Sequence, residues 1–380
     1  MATATATSNS HPRPFADHIY QPVASPEHTS EAPPTMNQGH MTKVQALTPL
    51  SVLVTLAALT VCAVAISPGL GQVSQEHGTY LTPNASLVLF FWAIMFLLQV
   101  GFALLVVLSQ KEFTKRTIVN GVGLRLAFSN LLLAAWAVTW VLNKHVSHLI
   151  GLVLLSLCGL LLLITVLLLQ IRYPPSLSRP LDWLFIHVPI KMFLVTIIQL
   201  DIPQQTFVAL GWDVSEGGKA AFENLHKALW PSFAVLCSMG ALSAIWIFAT
   251  MDVTWAAAGI YLHLALLYGD SKRGIGGLGE RRPPEITAAI VLAIGLQAVA
   301  ILGSIVQKSI SQTQQQEQED RLLEEGEPAS EEGRIALGRD PQEEEAAARY
   351  EQEHDADASH DENGHGDHRV TRKLGSSSGH

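Results

Sequence analysis

Eight apolar runs, each of about 20 residues, occupy the middle of this sequence and leave few folds open to it. They span residues 47–67, 86–108, 119–142, 148–171, 184–209, 230–250, 253–269 and 286–307. The hydrocarbon core of a bilayer is about 30 Å thick, which a helix crosses with about 20 apolar residues. Because the backbone must satisfy its own hydrogen bonds in hydrocarbon, helices are the spanning form that such runs can take. The sequence therefore predicts an all-α polytopic transmembrane helical bundle, an integral membrane protein whose first partner is the lipid bilayer.

The number of crossings depends on the fifth run, residues 184–209. This run contains prolines and three ionisable side chains, His187, Lys191 and Asp201, and ionisable groups are costly in hydrocarbon. The run is long enough to cross, so we predict about eight helices. Seven would result if the run stayed kinked at the membrane surface.

Basic residues predict the orientation, because Lys and Arg accumulate in cytoplasmic connections. Lys111, Lys115 and Arg116 place the connection between the second and third runs in the cytoplasm. With eight crossings both termini are cytoplasmic, and the basic residues near 272–282 fall on the opposite side. With seven crossings that loop returns to the cytoplasm and the C-terminal tail leaves it.

Polar segments flank the apolar runs at both ends of the chain. Residues 1–46 are rich in Ala, Thr, Ser and Pro, and residues 310–380 are rich in Gln, Glu and His. Neither segment can bury enough apolar surface to offset the entropy of ordering, so both are predicted to be disordered tails of a bundle over 47–309. Residues 311–380 hold 19 acidic and 7 basic side chains. This negative charge favours a basic protein partner and disfavours nucleic acid.

One face of the third run carries the side chains from which a ligand site is predicted. They recur at helical spacing and are Arg125, Ser129, Trp136, Trp140 and Asn143. Two indole rings flanked by a cation and an amide could stack on a planar or sterol-like ligand and orient its polar ends. In the alternative interpretation, Arg125 extends to one membrane surface, Trp140 marks the opposite interface, and the other residues pack between helices.

The sequence contains no nucleophile elbow, zinc-binding pattern or phosphate-binding loop. We therefore expect a protein that is not an enzyme and that has no metal or other cofactor. An intramembrane enzyme that uses His187 or His263 with Asp201 is the remaining alternative of this class, although a lone histidine such as His263 is more often a packing residue. Asp252, which separates the sixth and seventh runs, is expected to be the N-cap of the seventh helix.

Three stretches give the sequence a family resemblance. Residues 90–99 (FFWAIMFLLQ) are similar to the second helix of extended tryptophan-rich sensory (TspO-like) membrane proteins. Residues 129–140 (SNLLLAAWAVTW) resemble their Ser/Asn/Trp helix, with the Asn here directly after the Ser, and residues 251–260 (MDVTWAAAGI) resemble a late helix with Asp, Trp and Gly. The similarity covers roughly residues 48–309, and the layout is also similar to that of fungal multi-pass proteins with no established activity.

The resemblance implies a helical bundle and, in the shorter relatives, the binding of porphyrins, sterols or similar apolar rings. We therefore expect an integral membrane protein that binds or transports a small apolar or planar ligand within the bundle. The alternative is a non-catalytic membrane scaffold that recruits partners through its acidic C-terminal tail.

Overall fold

The structure of the chain, a computed structural model, describes residues 38–176, 179–269 and 282–326. All regular secondary structure within these ranges is helical. The chain divides after Val306 into one large unit and a C-terminal unit. The predicted all-α bundle is confirmed, and everything described below concerns the large unit unless stated otherwise.

Short connections join helices of very different lengths. In the first half of the chain the helices are α1 (Gln38–Thr60), α2 (Leu70–Glu76), α3 (Ala85–Leu108), α4 (Glu112–Arg116), α5 (Arg125–Val141) and α6 (His145–Arg172). In the second half they are α7 (Pro180–Asp182), α8 (Val188–Thr196), α9 (Ile202–Ala209), α10 (Gly218–Thr250), α11 (Val253–Leu267) and α12 (Pro284–Gly326). The described residues also contain π-helical turns at Val61–Ala65, Thr117–Val122, Trp183–His187 and Ile197–Asp201.

Six continuous segments of the described chain are long and apolar enough to cross a bilayer. They are Gly39–Ala65, Ala85–Leu108, His145–Arg172, Pro180–Ala209, Gly218–Thr250 and Pro284–Gln318. A bent pair, Glu112–Val122 with Arg125–Val141, makes a seventh crossing if it is one span, and α11 is a shorter apolar helix of 15 residues. The fifth run is thus one unbroken helical segment of 30 residues, Pro180–Ala209, which we call the central span.

The helices run back and forth between two ends of the bundle. Each end can be identified from hydrogen bonds that join the termini of different helices. One end carries Lys111, Lys115 and Arg116, and we call it the basic end. There, Thr114 Oγ1 of α4 donates to the Asp182 carboxylate (3.0 Å). At the opposite end, which we call the His77 end, the Asn84 N–H donates to the Ala265 carbonyl (2.8 Å). Arg282 also donates to a carbonyl of α11 at the His77 end. With six or seven candidate spans in the described chain, the count of about eight crossings stays a prediction. Which end faces the cytoplasm stays a prediction.

The first helix begins earlier than the hydropathy of the sequence indicates. Its first residue is Gln38, inside the predicted N-terminal tail. Val44 is fully buried and Gln45 Nε2 donates to the Val106 carbonyl of α3 (3.2 Å). Packing against α3 therefore extends the helix into a segment of mixed polarity.

The last helix continues beyond the predicted bundle. In the C-terminal unit α12 runs on to Gly326, past residue 310, and residues 311–318 are exposed. Gln and Glu are good helix formers, so a helix can persist here without an apolar face to bury. The rest of the two predicted tails, residues 1–37 and 327–380, lies outside the described residues.

The third run consists of two helices rather than one. The π-helical turn Thr117–Val122 ends at Gly123, whose φ of +55° is a conformation that glycine adopts without a Cβ clash. The helices on either side meet at 49°. Arg125 Nη2 donates to the carbonyls of Asn120 (3.3 Å) and Gly121, next to the break in regular helical bonding. Arg125 therefore stabilises the bend.

The central span is the most enclosed of the continuous spans. Of its most apolar stretch 67% is buried, whereas no other continuous span exceeds 39%. Lys191 of this span forms an ion pair with Asp252 (Nζ–Oδ2 2.6 Å), and both side chains are at most 3% exposed. Asp252 Oδ1 also accepts the Trp255 N–H (3.2 Å), which confirms the predicted N-cap of α11.

Breaking this ion pair from one side is expected to destabilise the bundle. Lys191→Met leaves a buried carboxylate unpaired, which typically costs about 3–5 kcal/mol. The double variant Lys191→Met/Asp252→Asn removes the charge and keeps a side chain that caps helices well, so it should recover most of the loss. The measurement is the free energy of unfolding in mixed detergent micelles. Wild-type stability in Lys191→Met would contradict an enclosed pair.

Two glycines provide a matched test of helix packing. A Cβ on Gly240 of α10 would lie 2.7 Å from Ala293 Cα of α12, whereas a Cβ on Gly295 would meet nothing within 4 Å. Gly240→Ala is therefore expected to destabilise the protein by about 1–3 kcal/mol through overpacking. Gly295→Ala should not destabilise it, because Ala is favoured over Gly in a helix by roughly 1 kcal/mol. Thermal unfolding in detergent compares the two, and equal losses would argue against the close approach of α10 and α12.

Candidate functional site

A charged hydrogen-bond network joins three connections at the His77 end of the bundle. His77, directly after α2, bonds through Nδ1 to Asp213 Oδ2 (2.6 Å) and through Nε2 to Asn143 Oδ1 (2.6 Å). Asn143 Nδ2 donates to Glu76 Oε2 (3.0 Å), and the Ser215 hydroxyl donates to Asp213 Oδ1 (2.6 Å). The network therefore ties the end of α2 to the α5–α6 turn and to the loop between α9 and α10.

The donors and acceptors of this network indicate that His77 is positively charged. Asn143 must present its NH₂ group to the Glu76 carboxylate, so its carbonyl oxygen faces His77. His77 consequently donates from both nitrogens, which only the imidazolium can do. Burial lowers the pKa of His77, but the hydrogen bond and charge of Asp213, with help from Asn143 and Glu76, outweigh this effect and raise the pKa overall. Burial likewise favours a higher pKa for Asp213, yet hydrogen bonds from His77 and Ser215 leave it lowered.

Aromatic rings adjoin the network, and we call His77, Trp136, Trp140 and His148 the aromatic–histidine cluster. The His148 ring packs edge-on against His77 (centroids 4.9 Å apart) and Trp140 (5.3 Å). Trp140 lies 5.9 Å from Trp136 at an interplanar angle of 32°. His148 is 2% exposed, and neither ring nitrogen has a hydrogen-bond partner in the described part of the chain. A buried polar ring is therefore left unsatisfied beside the indole of Trp140.

The indole N–H groups are already used within the protein. Trp136 Nε1 donates to Gln205 Oε1 (3.0 Å), and Trp140 Nε1 donates to the Leu70 carbonyl (3.2 Å). Gln205 Nε2 in turn donates to the His148 carbonyl (2.8 Å), so one glutamine of the central span holds both α5 and α6. The cluster can thus offer a ligand the faces of its rings and the nitrogens of His148.

The five residues predicted from the third run fall into two groups. Trp136, Trp140 and Asn143 come together at the His77 end, where Asn143 adopts φ +50° directly beyond α5. Arg125 begins α5, about 27 Å along the helix from Asn143, and Ser129 lies one turn further on. The structure therefore does not place Arg125 and Ser129 beside the two indoles.

Both of these separated residues have partners of their own. Besides the carbonyls at the bend, Arg125 Nε donates to Thr165 Oγ1 (3.2 Å). Ser129 is fully buried, its hydroxyl donates to the Arg125 carbonyl (2.9 Å), and its own carbonyl accepts the Cys158 thiol (3.4 Å). These contacts are those of helix packing, which the alternative interpretation expects for Ser129 but not for Arg125.

The residues considered for an intramembrane reaction are not joined by hydrogen bonds or ion pairs in the described chain. Within the described chain, neither His187 nor His263 makes a hydrogen bond or ion pair with Asp201. His263 Nδ1 donates to the Gly259 carbonyl (2.7 Å), as a packing histidine does. His187 and Tyr173 both line a narrow cleft at the basic end.

Sequence reasoning missed His77, His148, Asp213 and Gln205. These residues lie in separate connections and helix ends, and His77 and Asp213 are 136 positions apart in the chain. The available signal was the occurrence of histidines and carboxylates at the edges of apolar runs. That signal does not tell which of them meet.

The charged network predicts a dependence of stability on pH. Because the folded-state pKa of His77 is raised, its contribution is complete below the ordinary value of 6.5 and is lost as the pH rises through the raised value. The pKa of Asp213 is lowered, so its contribution is present above the ordinary value of 3.8 and is lost as the pH falls through the lowered value. His77→Gln is therefore expected to destabilise the protein by about 1.5–3 kcal/mol at roughly pH 5.5 and by less at roughly pH 9.

Unfolding of the wild type and His77→Gln in detergent at both pH values checks this expectation. His226→Gln is the matched control, because His226 is an exposed residue of α10. A stability difference that stays constant between the two pH values would contradict a charged His77.

Comparison with protein-family models matches residues 45–303 to the family described as TSPO-like protein. The matched residues include the three stretches on which the resemblance was based and the whole aromatic–histidine cluster. No curated protein and no solved structure matched the chain. A fungal origin stays a prediction. Because the family match covers more than half of the sequence, the chain belongs to the TSPO-like family and is an integral membrane protein.

Proposed function

We propose that this protein is a non-catalytic membrane protein that binds a small, planar and largely apolar ligand at the aromatic–histidine cluster. The observation that carries the proposal is the buried, unpaired ring of His148 against Trp140. The indoles supply stacking surface, and His148 supplies a hydrogen bond to a polar edge of the ligand. Such a pairing of apolar walls with few polar groups is typical of small-molecule sites.

The unsatisfied state of His148 favours binding on energetic grounds. A buried polar group without a partner has lost its hydration and gained nothing in exchange. A ligand that bonds to His148 recovers that loss, and it breaks no protein hydrogen bond of this ring in doing so. The ring nitrogens therefore act as a polar anchor that is ready before the ligand arrives.

The burial of the two indoles supports an approach from outside the bundle. Trp136 is half-buried, whereas Trp140 is only 4% exposed. A ligand would therefore meet Trp136 first and then reach Trp140 and His148. The apolar rings that the family resemblance implies have the shape and polarity for this surface. Transport of such a ligand requires a route to the other end, and it stays a prediction.

The scaffold alternative depends on the acidic tail. Residues 327–380 lie outside the described chain, and a basic protein partner therefore stays a prediction from the sequence.

A ligand titration of the full chain in detergent tests the proposal. We expect saturable changes in tryptophan fluorescence with protoporphyrin IX, with a sterol, or with both. Trp140→Phe is expected to weaken binding about 2–10-fold, since specific aromatic contacts contribute about 0.5–1.5 kcal/mol. His148→Leu should weaken it by a similar factor, the value of one net hydrogen bond.

Trp230→Phe is the matched control. Trp230 lies on α10 with 65% of its surface exposed, and its ring contact is with Phe233 rather than with the cluster, so its replacement should leave the affinity unchanged. Unsaturable fluorescence changes with both ligands would refute the proposal. So would equal affinities in the wild type, Trp140→Phe and His148→Leu.

A further inference from the structure

Asp201 carries a buried carboxyl group within the central span. No described residue supplies a cation to pair with it if it is ionised. Its side chain is 9% exposed, and the Oδ2 atom has no hydrogen-bond partner. Among the described residues it makes no hydrogen bond and no ion pair. An ionised carboxylate in such a place is very unfavourable, because Oδ2 has lost its hydration and no described residue supplies a counter-ion.

The cations of the bundle are engaged elsewhere. Lys191 precedes Asp201 by about 15 Å along the central span, and its ammonium group is paired with Asp252. His77, at the end of the bundle, is paired with Asp213. Neither cation can be released to Asp201 without leaving another buried carboxylate unpaired.

The helices packed against Asp201 also bring no positive charge to it. From α6 the titratable neighbour is Cys158, whose thiol is already bonded to the Ser129 carbonyl. On the buried face of α11 the titratable group is His263, whose Nδ1 donates to the Gly259 carbonyl. These surroundings are neutral.

The backbone at Asp201 is a π-helical turn instead of a regular α-helix. The central span contains a second turn of the same kind. The π-helical turn Ile197–Asp201 ends at Asp201, and Pro203 follows two positions later. The turn Trp183–His187 ends at another buried ionisable residue, and Pro189 again follows two positions later. π-Helical turns occur often at functional sites, and proline removes a hydrogen-bond donor from the helix.

From the burial of Asp201, its lack of any partner among the described residues and its place at the end of a π-helical turn, we infer that Asp201 is a proton-binding site in the membrane interior that holds its proton at neutral pH. The bound proton makes the side chain neutral and turns one oxygen into a hydrogen-bond donor. Release of the proton would leave a bare charge inside the bundle. Proton release must therefore coincide with entry of water or of a cation, which gives the central span a means of coupling protonation to movement. The inference does not depend on the ligand site proposed above.

Infrared spectroscopy of the full chain in phosphatidylcholine vesicles at neutral pH tests this inference. The wild type should show the carbonyl stretch of a protonated carboxyl group, and Asp201→Asn should lose that band. The double variant Lys191→Met/Asp252→Asn is the matched control: it removes a carboxylate that is ionised in its pair with a lysine, it should keep most of the stability, and the band should persist. Loss of only ionised carboxylate bands in Asp201→Asn would overturn the inference.

Chemical labelling of the wild type provides a test that does not depend on the folding of a variant. Dicyclohexylcarbodiimide enters membranes and adds to protonated carboxyl groups, and peptide mass spectrometry locates the adduct. We expect labelling at Asp201, little labelling at Asp252, and a decrease at Asp201 as the pH is raised. Absence of both the infrared band and the adduct at Asp201, or labelling of Asp252 in preference to it, would overturn the inference.

Discussion

A polar group placed in hydrocarbon needs a partner within the protein, and the central span concentrates this requirement in one segment. Lys191 meets Asp252 from the α10–α11 turn, and Gln205 meets Trp136 on α5. Gln199 donates to the Ser243 hydroxyl of α10 (2.6 Å). These partners lie on α5, on α10 and in the turn between α10 and α11. The polar side chains of the central span therefore help to determine which helices surround it. The apolar faces of those helices then remain for the lipid.

Hydropathy was sufficient to predict where the long helices lie, because length and apolar content are what the bilayer selects. The run 148–171 corresponds to α6 and the run 86–108 to α3, with ends shifted by no more than a few positions. Hydropathy did not predict the bend in the third run. That bend depends on the left-handed conformation of Gly123, which leaves the apolar content of the run unchanged.

The candidate site could be predicted only in part. Helical spacing correctly places Trp136 and Trp140 on one face, and Asn143 joins them just beyond the helix. The same spacing also selects Arg125, but a stripe of that length is nearly as long as the bilayer is thick, so its two ends cannot share a site. His148 and its partners are brought together by tertiary packing across the chain, for which the sequence offers no local pattern.

The turn between α10 and α11 has a mechanical consequence. Met251 takes φ +53° to make this turn tight, and Asp252 both caps α11 and is the counter-ion of Lys191. Sliding the central span past this turn would separate two buried charges. The span and this helical hairpin therefore form one inner frame, and a movement of the central span would carry the hairpin with it.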